Sequence, residues 1–252
     1  MQRVVVSGCT GWANGARGTP VLFVTGPPIS GRLFRAVQAR LAPRRTVALE
    51  LLEAGVHGVA ALAARLDEII SELGAGALVA HGLAVPVALA SRADVAVVLT
   101  NGTLIRPDPM LRAMARLGPT VLAEVLFRPW TLRRWMPSSM GLRRLVTNPY
   151  VMDRDIVVML LEPMLGSKVV RRTAAEWICD VARQPLVVRR EISTISAIWG
   201  DSDPLCPLAT VRGFVPPGRL STIPGARHLH PEERPWELAD RLQTWLEEPT
   251  TT

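Results

Sequence analysis

The sequence has few cysteines, and their positions argue against two common roles of paired cysteines. Only three occur among the 252 residues, Cys9, Cys179 and Cys206, and no two have C-x-x-C spacing. Disulfide frameworks and zinc sites are built from paired or closely spaced cysteines. We therefore expect neither of them, and the sequence predicts no metal and no cofactor.

Long apolar segments are also missing. No stretch reaches the roughly 18 residues that a transmembrane helix needs. Residues 1–6 lack the apolar core and the small-residue cleavage site of a secretory signal peptide. These features predict a cytoplasmic protein that has no membrane-spanning segment.

Lysine is almost absent, although the formal net charge is +7. Lys168 is the single lysine, so 28 of the 29 basic residues are arginines. An arginine bias beside abundant Ala, Gly, Pro and Val is typical of a GC-rich genome and requires no ligand. Nucleic-acid binders show basic clusters interleaved with aromatic residues, or a known module. The sequence has neither feature, so we predict no nucleic-acid partner.

Apolar segments alternate regularly between two kinds of spacing. Short apolar runs, such as residues 20–26 and 77–79, alternate with segments of helical spacing, such as residues 31–42 and 56–73. Alternating strands and helices predict a mostly parallel sheet that is covered by helices on both faces. With 252 residues, 48% of them apolar, the chain can form one sizeable α/β domain with a buried core.

Residues 103–185 interrupt this alternation with short helical pieces that are separated by prolines. The segment contains 13 basic and 7 acidic residues, which is most of the excess positive charge. It also contains seven of the eight methionines, Met110, Met114, Met136, Met140, Met152, Met159 and Met164. We predict a helical insertion at residues 103–185, between two parts of a core domain, residues 1–102 and 186–252.

Five sequence fragments and one turn carry a resemblance to a known family. The fragments are the apolar runs 19–26, 46–51 and 95–102, the W-G-x-x-D-P segment 199–204, and the G-x-x-H segment 225–228. Together with the turn at residues 80–84, they resemble the α/β-hydrolase fold superfamily in order and spacing, over nearly the whole chain. The resemblance implies an α/β-hydrolase fold whose inserted segment is a helical cap. It also implies that Asp203 is the catalytic acid and His228 the base.

The turn at residues 80–84 departs from the pattern of that superfamily. The nucleophile elbow reads G-x-S-x-G, with the reactive serine in the middle. Here the five residues are Ala-His-Gly-Leu-Ala, with Gly82 in the serine's place. Glycine can adopt the positive φ that the turn requires, but it offers no hydroxyl. We therefore predict a protein without the nucleophilic serine, which cannot be a serine hydrolase.

The loop after the first central strand departs from the pattern as well. The oxyanion hole of this fold uses the N–H of the residue after the nucleophile and an N–H from this loop. The first would come from Leu83, but the second position is Pro27, which has no N–H. Losing one such donor costs a few kcal/mol of transition-state stabilisation. Either acyl chemistry has been abandoned, or Pro27 and Pro28 simply form a turn.

His228 is the leading catalytic candidate. A histidine can act as a general base near neutral pH, and an aspartate on its other ring nitrogen would orient it. By the resemblance that aspartate is Asp203, while Asp201 is a nearby competitor. The alternative is a relic dyad that is kept because it packs and hydrogen-bonds well.

Three other side chains near these motifs are predicted to be structural. His81 precedes the glycine of the turn, at a position that commonly points away from the site in the superfamily. His230 is expected on a loop, and no third ligand stands near it and His228 in the sequence to complete a metal site. Cys206 is expected to be a buried apolar cysteine rather than a substitute nucleophile.

The inserted segment supplies candidate ligand contacts. Surfaces rich in methionine and aromatic residues adapt to irregular apolar ligands, although a helical insertion also needs a core of its own. The residues assigned to substrate binding are Gly82, Leu83, Pro27, Pro28, Trp130, Trp135 and Met136. The arginine pairs 133–134 and 143–144 could meet an anionic group, or they could form a solvated face.

These features predict a non-hydrolytic enzyme that acts on a hydrophobic, partly unsaturated or polycyclic small molecule, which could carry an anionic group. The resemblance implies precedents in hydroxynitrile lyases, cofactor-free dioxygenases and natural-product cyclases, so a cyclase or lyase step in natural-product biosynthesis is expected. His228, held by Asp203, would remove a proton without a covalent acyl-enzyme. The alternatives are an inactive ligand-binding protein and a hydrolase whose water is activated directly by His228. A homodimer is left open.

Overall fold

An eight-stranded sheet forms the centre of the molecule in a computed structural model that describes residues 1–104 and 109–247. Its strands are β1 (Gln2–Val6), β2 (Cys9–Asn14), β3 (Arg17–Thr25), β4 (Arg44–Leu49), β5 (Ala77–Gly82), β6 (Ala96–Gly102), β7 (Ile195–Gly200) and β8 (Leu220–Ile223). The strand order is β1-β2-β4-β3-β5-β6-β7-β8. Only the β1–β2 and β2–β4 pairs are antiparallel. The predicted mostly parallel sheet is therefore confirmed.

Ten α-helices accompany the sheet in the described part of the chain. They are α1 (Arg35–Leu41), α2 (Val59–Leu73), α3 (Ala84–Ala90), α4 (Pro109–Val121), α5 (Pro129–Trp135), α6 (Arg154–Gly166), α7 (Lys168–Arg183), α8 (Leu208–Arg212), α9 (His230–Glu233) and α10 (Pro235–Glu247). The central strands are apolar on both faces because helices cover both: residues 20–25 of β3 and 77–81 of β5 are all buried.

The chain between β6 and β7 is mainly helical and carries α4 to α7. The buried Trp177 of α7 ties it to the turn between β5 and α3, because its indole Nε1 donates to the carbonyl of Leu83 at 3.2 Å. The predicted insertion includes residues 105–108, and the second part of the predicted core includes residues 248–252; these positions lie outside the described residues. The division into core and insertion stays a prediction.

A helix must be both long and apolar to cross a membrane. Among the helices of residues 1–104 and 109–247, none combines the length and the apolar character that are needed to cross a bilayer.

Candidate active site

A cavity of about 150 Å³ lies at the carboxyl ends of β3 and β5. Its floor is formed by residues 25–29 and 81–83, and another wall by residues between 110 and 145, from helices and the turns between them. His228 and Cys206 complete it from the loops that follow β8 and β7. Ligand sites in open parallel sheets lie at this edge, so the cavity is the natural candidate for a functional site.

Gly82 ends β5, and α3 begins two residues later, so a sharp strand-to-helix turn lies at the floor of the cavity. Gly82 has a φ of +62°, which L side chains rarely adopt. A Cβ placed on Gly82 would find His228 Nε2 as its nearest neighbour, at 3.9 Å. A side chain on this residue would therefore point at the imidazole.

The His228 ring is oriented by a buried carboxylate. Its Nδ1 lies 2.8 Å from Asp203 Oδ2. Burial alone would raise the pKa of Asp203, but the His228 ring, the Asn101 amide and the Leu205 N–H together hold the pKa below its usual value. Asp203 is thus an anion that accepts the proton on Nδ1, which leaves the lone pair of Nε2 facing the cavity.

Asp201, the alternative partner for His228, forms its hydrogen bonds with other groups. It is exposed, and its Oδ1 accepts the backbone N–H of Gly225 at 2.8 Å and the hydroxyl of Ser202 at 2.9 Å. The structure therefore pairs His228 with Asp203 and gives Asp201 a role in the turn before the histidine.

Asn101 is a site residue that sequence reasoning missed. Its Nδ2 donates to Asp203 Oδ2 at 2.6 Å, and its Oδ1 accepts the N–H of Gly200 at 2.7 Å. It is fully buried near the end of β6 and has a φ of +30°, a conformation that asparagine tolerates better than most residues. Asn101 therefore positions the carboxylate that positions His228.

Two further histidines pack beside His228. The ring centroid of His81 lies 4.9 Å from that of His228 and 6.0 Å from that of His230. His81 is buried, with Nδ1 3.0 Å from the hydroxyl of Thr100, although it also contributes to the cavity wall. His230 begins α9 and is fully buried, so the prediction that it lies on a loop was wrong.

Burial sets the charge of this pair of histidines. Burial first, and then the neighbouring rings of His228 and His230, hold the pKa of His81 well below its ordinary value. Burial likewise lowers the pKa of His230 to about 3. Both rings are therefore neutral near pH 7 and place no positive charge beside His228.

The loop opposite the turn has no backbone donor to offer a bound anion. Pro27 and Pro28 lack N–H groups, and the N–H of Ile29 already donates to the carbonyl of Gly26 at 3.2 Å. The N–H of Leu83, after the turn, is the donor that the usual arrangement would retain. Residues 27–29 therefore supply no donor to an oxyanion hole.

Of the two tryptophans that the sequence predicts to bind the substrate, one lines the cavity and the other does not. Trp135 lines the cavity, as does Leu132 three residues earlier on the same face of α5. Trp130 does not line it and is 75% exposed, so its assignment is corrected. It stands two residues from Leu132, which is about 200° around a helix, and it therefore faces away.

The other residues that are predicted to bind the substrate lie together in the wall of this cavity. The cavity-lining residues among them are Pro27, Pro28, Gly82, Leu83, Trp135 and Met136. Met110, Met114 and Met140 line the cavity as well, whereas Met152 and Met164 are fully buried in the core. The methionines thus divide between the cavity wall and the core of the helical segment.

One cluster within the described ranges has donor atoms that a metal ion could use. Asp203, Cys206 and His228 offer ligand atoms that all lie within 4.8 Å of one another. Because Asp203 and His228 are already hydrogen-bonded to each other, a metal ion would have to replace that bond. Cys206 is buried, as predicted, but it also reaches the cavity wall.

Comparison with known proteins shows the fold. No protein-family model matches the chain, and no curated protein matches it. A malate-bound thermophilic esterase from Thermogutta terrifontis is similar, with 22% identity, a TM-score of 0.74 and 98% of each chain covered. The epoxide hydrolase CorEH is similar at 15% identity and a TM-score of 0.74, with 97% of each chain covered. An α/β hydrolase fold protein from Burkholderia ambifaria is similar at 19% identity and a TM-score of 0.72, over 96% of this chain and 97% of that one.

These likenesses extend over almost the whole chain. The predicted fold class is therefore confirmed: the chain has the α/β-hydrolase fold, with a mostly parallel eight-stranded sheet and flanking helices.

Proposed function

We propose that this protein is a non-hydrolytic enzyme in which His228 removes a proton from a small hydrophobic substrate, without a covalent intermediate. One observation carries the proposal. The free Nε2 of His228 faces the floor of the cavity at the one turn where a nucleophile would stand, and Gly82 leaves that space open. A substrate atom can occupy the space that a serine hydroxyl would fill.

The dyad supplies the proton transfer. The lone pair on Nε2 takes a proton from an acidic C–H or O–H of the substrate, and the electron pair of that bond stays on the substrate. Asp203 stabilises the imidazolium that forms. The imidazolium then returns the proton to a leaving group or to another atom of the product, which is the proton balance of a lyase or a cyclase.

The cavity supports a compact substrate. A volume of about 150 Å³ accommodates a single aromatic ring or a short chain, since a cavity of similar size holds benzene. We therefore narrow the proposed substrate from a polycyclic molecule to a compact one with one or two small rings or a short chain. A tailoring step in natural-product biosynthesis is the setting that we propose for such chemistry.

Two observations weigh against the alternatives. The missing donors at residues 27–29 and the apolar walls do not favour hydrolysis by an activated water, although an esterase and an epoxide hydrolase share the fold. An intact His228–Asp203 pair at the cavity favours chemistry over an inactive ligand-binding protein, in which we would expect the pair to be broken or out of reach of a ligand.

The proposal is tested with 5-nitrobenzisoxazole, a small bicyclic molecule. Removal of its ring C–H proton by a base breaks the N–O bond and releases a coloured nitrophenolate, so the assay reports proton abstraction from carbon without knowledge of the natural substrate. We expect wild-type protein to accelerate this ring opening while p-nitrophenyl acetate is hydrolysed no faster than in buffer. Rapid ester hydrolysis would favour the hydrolase alternative, and inactivity towards both would favour the binding protein.

Placing a serine at residue 82 should not by itself give the protein esterase activity. In Gly82→Ser the new hydroxyl would lie within reach of His228, but turnover of p-nitrophenyl acetate should stay low because one missing donor costs about 100-fold or more. Adding Pro27→Ala, which returns an N–H, should then raise the rate by about 100-fold. Gly166→Ser, on an exposed glycine with open space around it, is the matched control. Fast ester turnover by Gly82→Ser alone would show that the loop donor is dispensable.

A further inference from the structure

Arg144 is the one permanently charged side chain among the described residues that line the cavity. The rest of the wall is largely apolar, with methionine, leucine and tryptophan side chains from the helical segment. Arg144 is half-buried, so its guanidinium keeps its charge while it lies beside this apolar wall.

The backbone that carries Arg144 is fastened to the loop that carries His228. Arg144 lies in the short 3₁₀ turn Leu142–Leu145. Its carbonyl accepts Nη1 of Arg227 at 3.0 Å, and the next carbonyl, of Leu145, accepts the N–H of Leu229 at 2.9 Å. These two bonds lie on either side of His228 in the sequence, so the backbone turn that carries Arg144 is fastened to the loop that carries His228.

Among the described residues, the acceptor found for the guanidinium of Arg144 is a weak one. Its Nη2 lies 3.2 Å from Sδ of Met110, and within the described residues no carboxylate stands at ion-pair distance from it. The neighbouring Arg143 is used structurally, since its Nε donates to the carbonyl of Met152 at 3.0 Å. Arg133 and Arg134 are exposed and do not line the cavity. Of the two arginine pairs, only Arg144 can meet a ligand in this site.

We propose that Arg144 binds the carboxylate of the substrate, so that the site takes a small apolar carboxylic acid. A guanidinium binds a carboxylate through two parallel N–H···O bonds, which fixes orientation as well as affinity. The apolar wall receives the ring or chain, and the substrate's acidic C–H is presented to Nε2 of His228. The reaction part of this inference rests on the proposed function, whereas the binding part stands on the cavity alone.

The test compares an acid with its neutral isostere. Binding of 3-phenylpropionate and of 3-phenylpropanamide is measured by chemical-shift titration at pH 7. Because a hydrogen bond to a charged group is worth about 1.5–3 kcal/mol, wild type should bind the acid about tenfold or more tightly than the amide. Arg144→Gln should abolish the preference and leave the affinity for the amide unchanged. Its fold should survive, since the two bonds to the histidine loop use backbone atoms of this turn.

Two controls make the result specific. Arg134→Gln removes an exposed arginine of α5 outside the cavity and should keep the wild-type preference. Arg144→Lys keeps the charge without the bidentate fork and should retain part of it. Equal affinities for acid and amide in wild type, no binding of the acid, or an unchanged preference in Arg144→Gln would overturn the inference.

The outcome is separable from that of the proposed function. His228→Ala should retain the preference for the acid, because it removes the base and leaves the guanidinium. An acid preference without any ring opening of 5-nitrobenzisoxazole would leave the anion subsite standing and remove the reaction. Ring opening without an acid preference would support the proposed reaction and remove the anion subsite.

Discussion

His228→Ala is expected to slow the ring opening of 5-nitrobenzisoxazole by about 100-fold or more, the usual contribution of a positioned general base. The reason is geometric: Nε2 is the free nitrogen above Gly82, and Asp203 holds the ring by Nδ1. Asp203→Asn should also lower the rate, because the amide no longer fixes the tautomer.

His57→Ala is the matched control for this loss. His57 is exposed and paired with Glu176, with 2.8 Å between Nδ1 and Oε2, and it does not line the cavity. Its removal should leave the rate unchanged. Circular dichroism of each variant checks that the fold is intact. A His228→Ala variant with nearly wild-type turnover would mean that the shaped cavity accelerates the reaction without a base.

The second large effect concerns stability in acid. His230 is neutral in the folded protein because burial lowers its pKa to about 3, whereas an ordinary histidine titrates at about 6.5. Between about pH 3 and pH 6.5, His230 is therefore protonated in the unfolded chain but neutral in the folded chain. The stabilisation is fully present above pH 6.5 and is lost as the pH falls towards 3. At pH 4.5 the free energy of unfolding should be lower by about 3 kcal/mol from this group alone.

The measurement is urea denaturation of wild type and His230→Gln at pH 7 and pH 4.5. Glutamine does not titrate, so the variant should lose about 3 kcal/mol less than wild type between the two pH values. An equal loss in wild type and His230→Gln would show that His230 is not held neutral by the fold.

The parts of the fold that were predicted correctly have local signals. Strand β5, the turn at Gly82 and helix α3 follow from an apolar run, a glycine and a second apolar run. The hairpin of β1 and β2 was not anticipated. Its turn consists of Ser7 and Gly8, both with positive φ, which is a two-residue hairpin signal that the sequence does contain.

The parts of the site that were predicted are those whose residues belong to short motifs. Asp203 and His228 stand in recognisable segments, and their pairing follows from the fold. Asn101 was missed because its partners, Asp203 and Gly200, are about a hundred residues away. Trp130 was misassigned because composition does not tell which face of α5 meets the cavity. The distinction between Arg143 and Arg144 likewise depends on tertiary contacts.

The proposal that His228 acts as a base without a nucleophile at residue 82 is tested most directly in a single sample. Wild-type protein is treated with excess fluorophosphonate, its intact mass is measured, and ring opening of 5-nitrobenzisoxazole is then assayed beside His228→Ala. We expect no adduct on residues 80–84 and an unchanged rate that depends on His228. A stoichiometric adduct within residues 80–84, together with loss of the rate, would contradict the account.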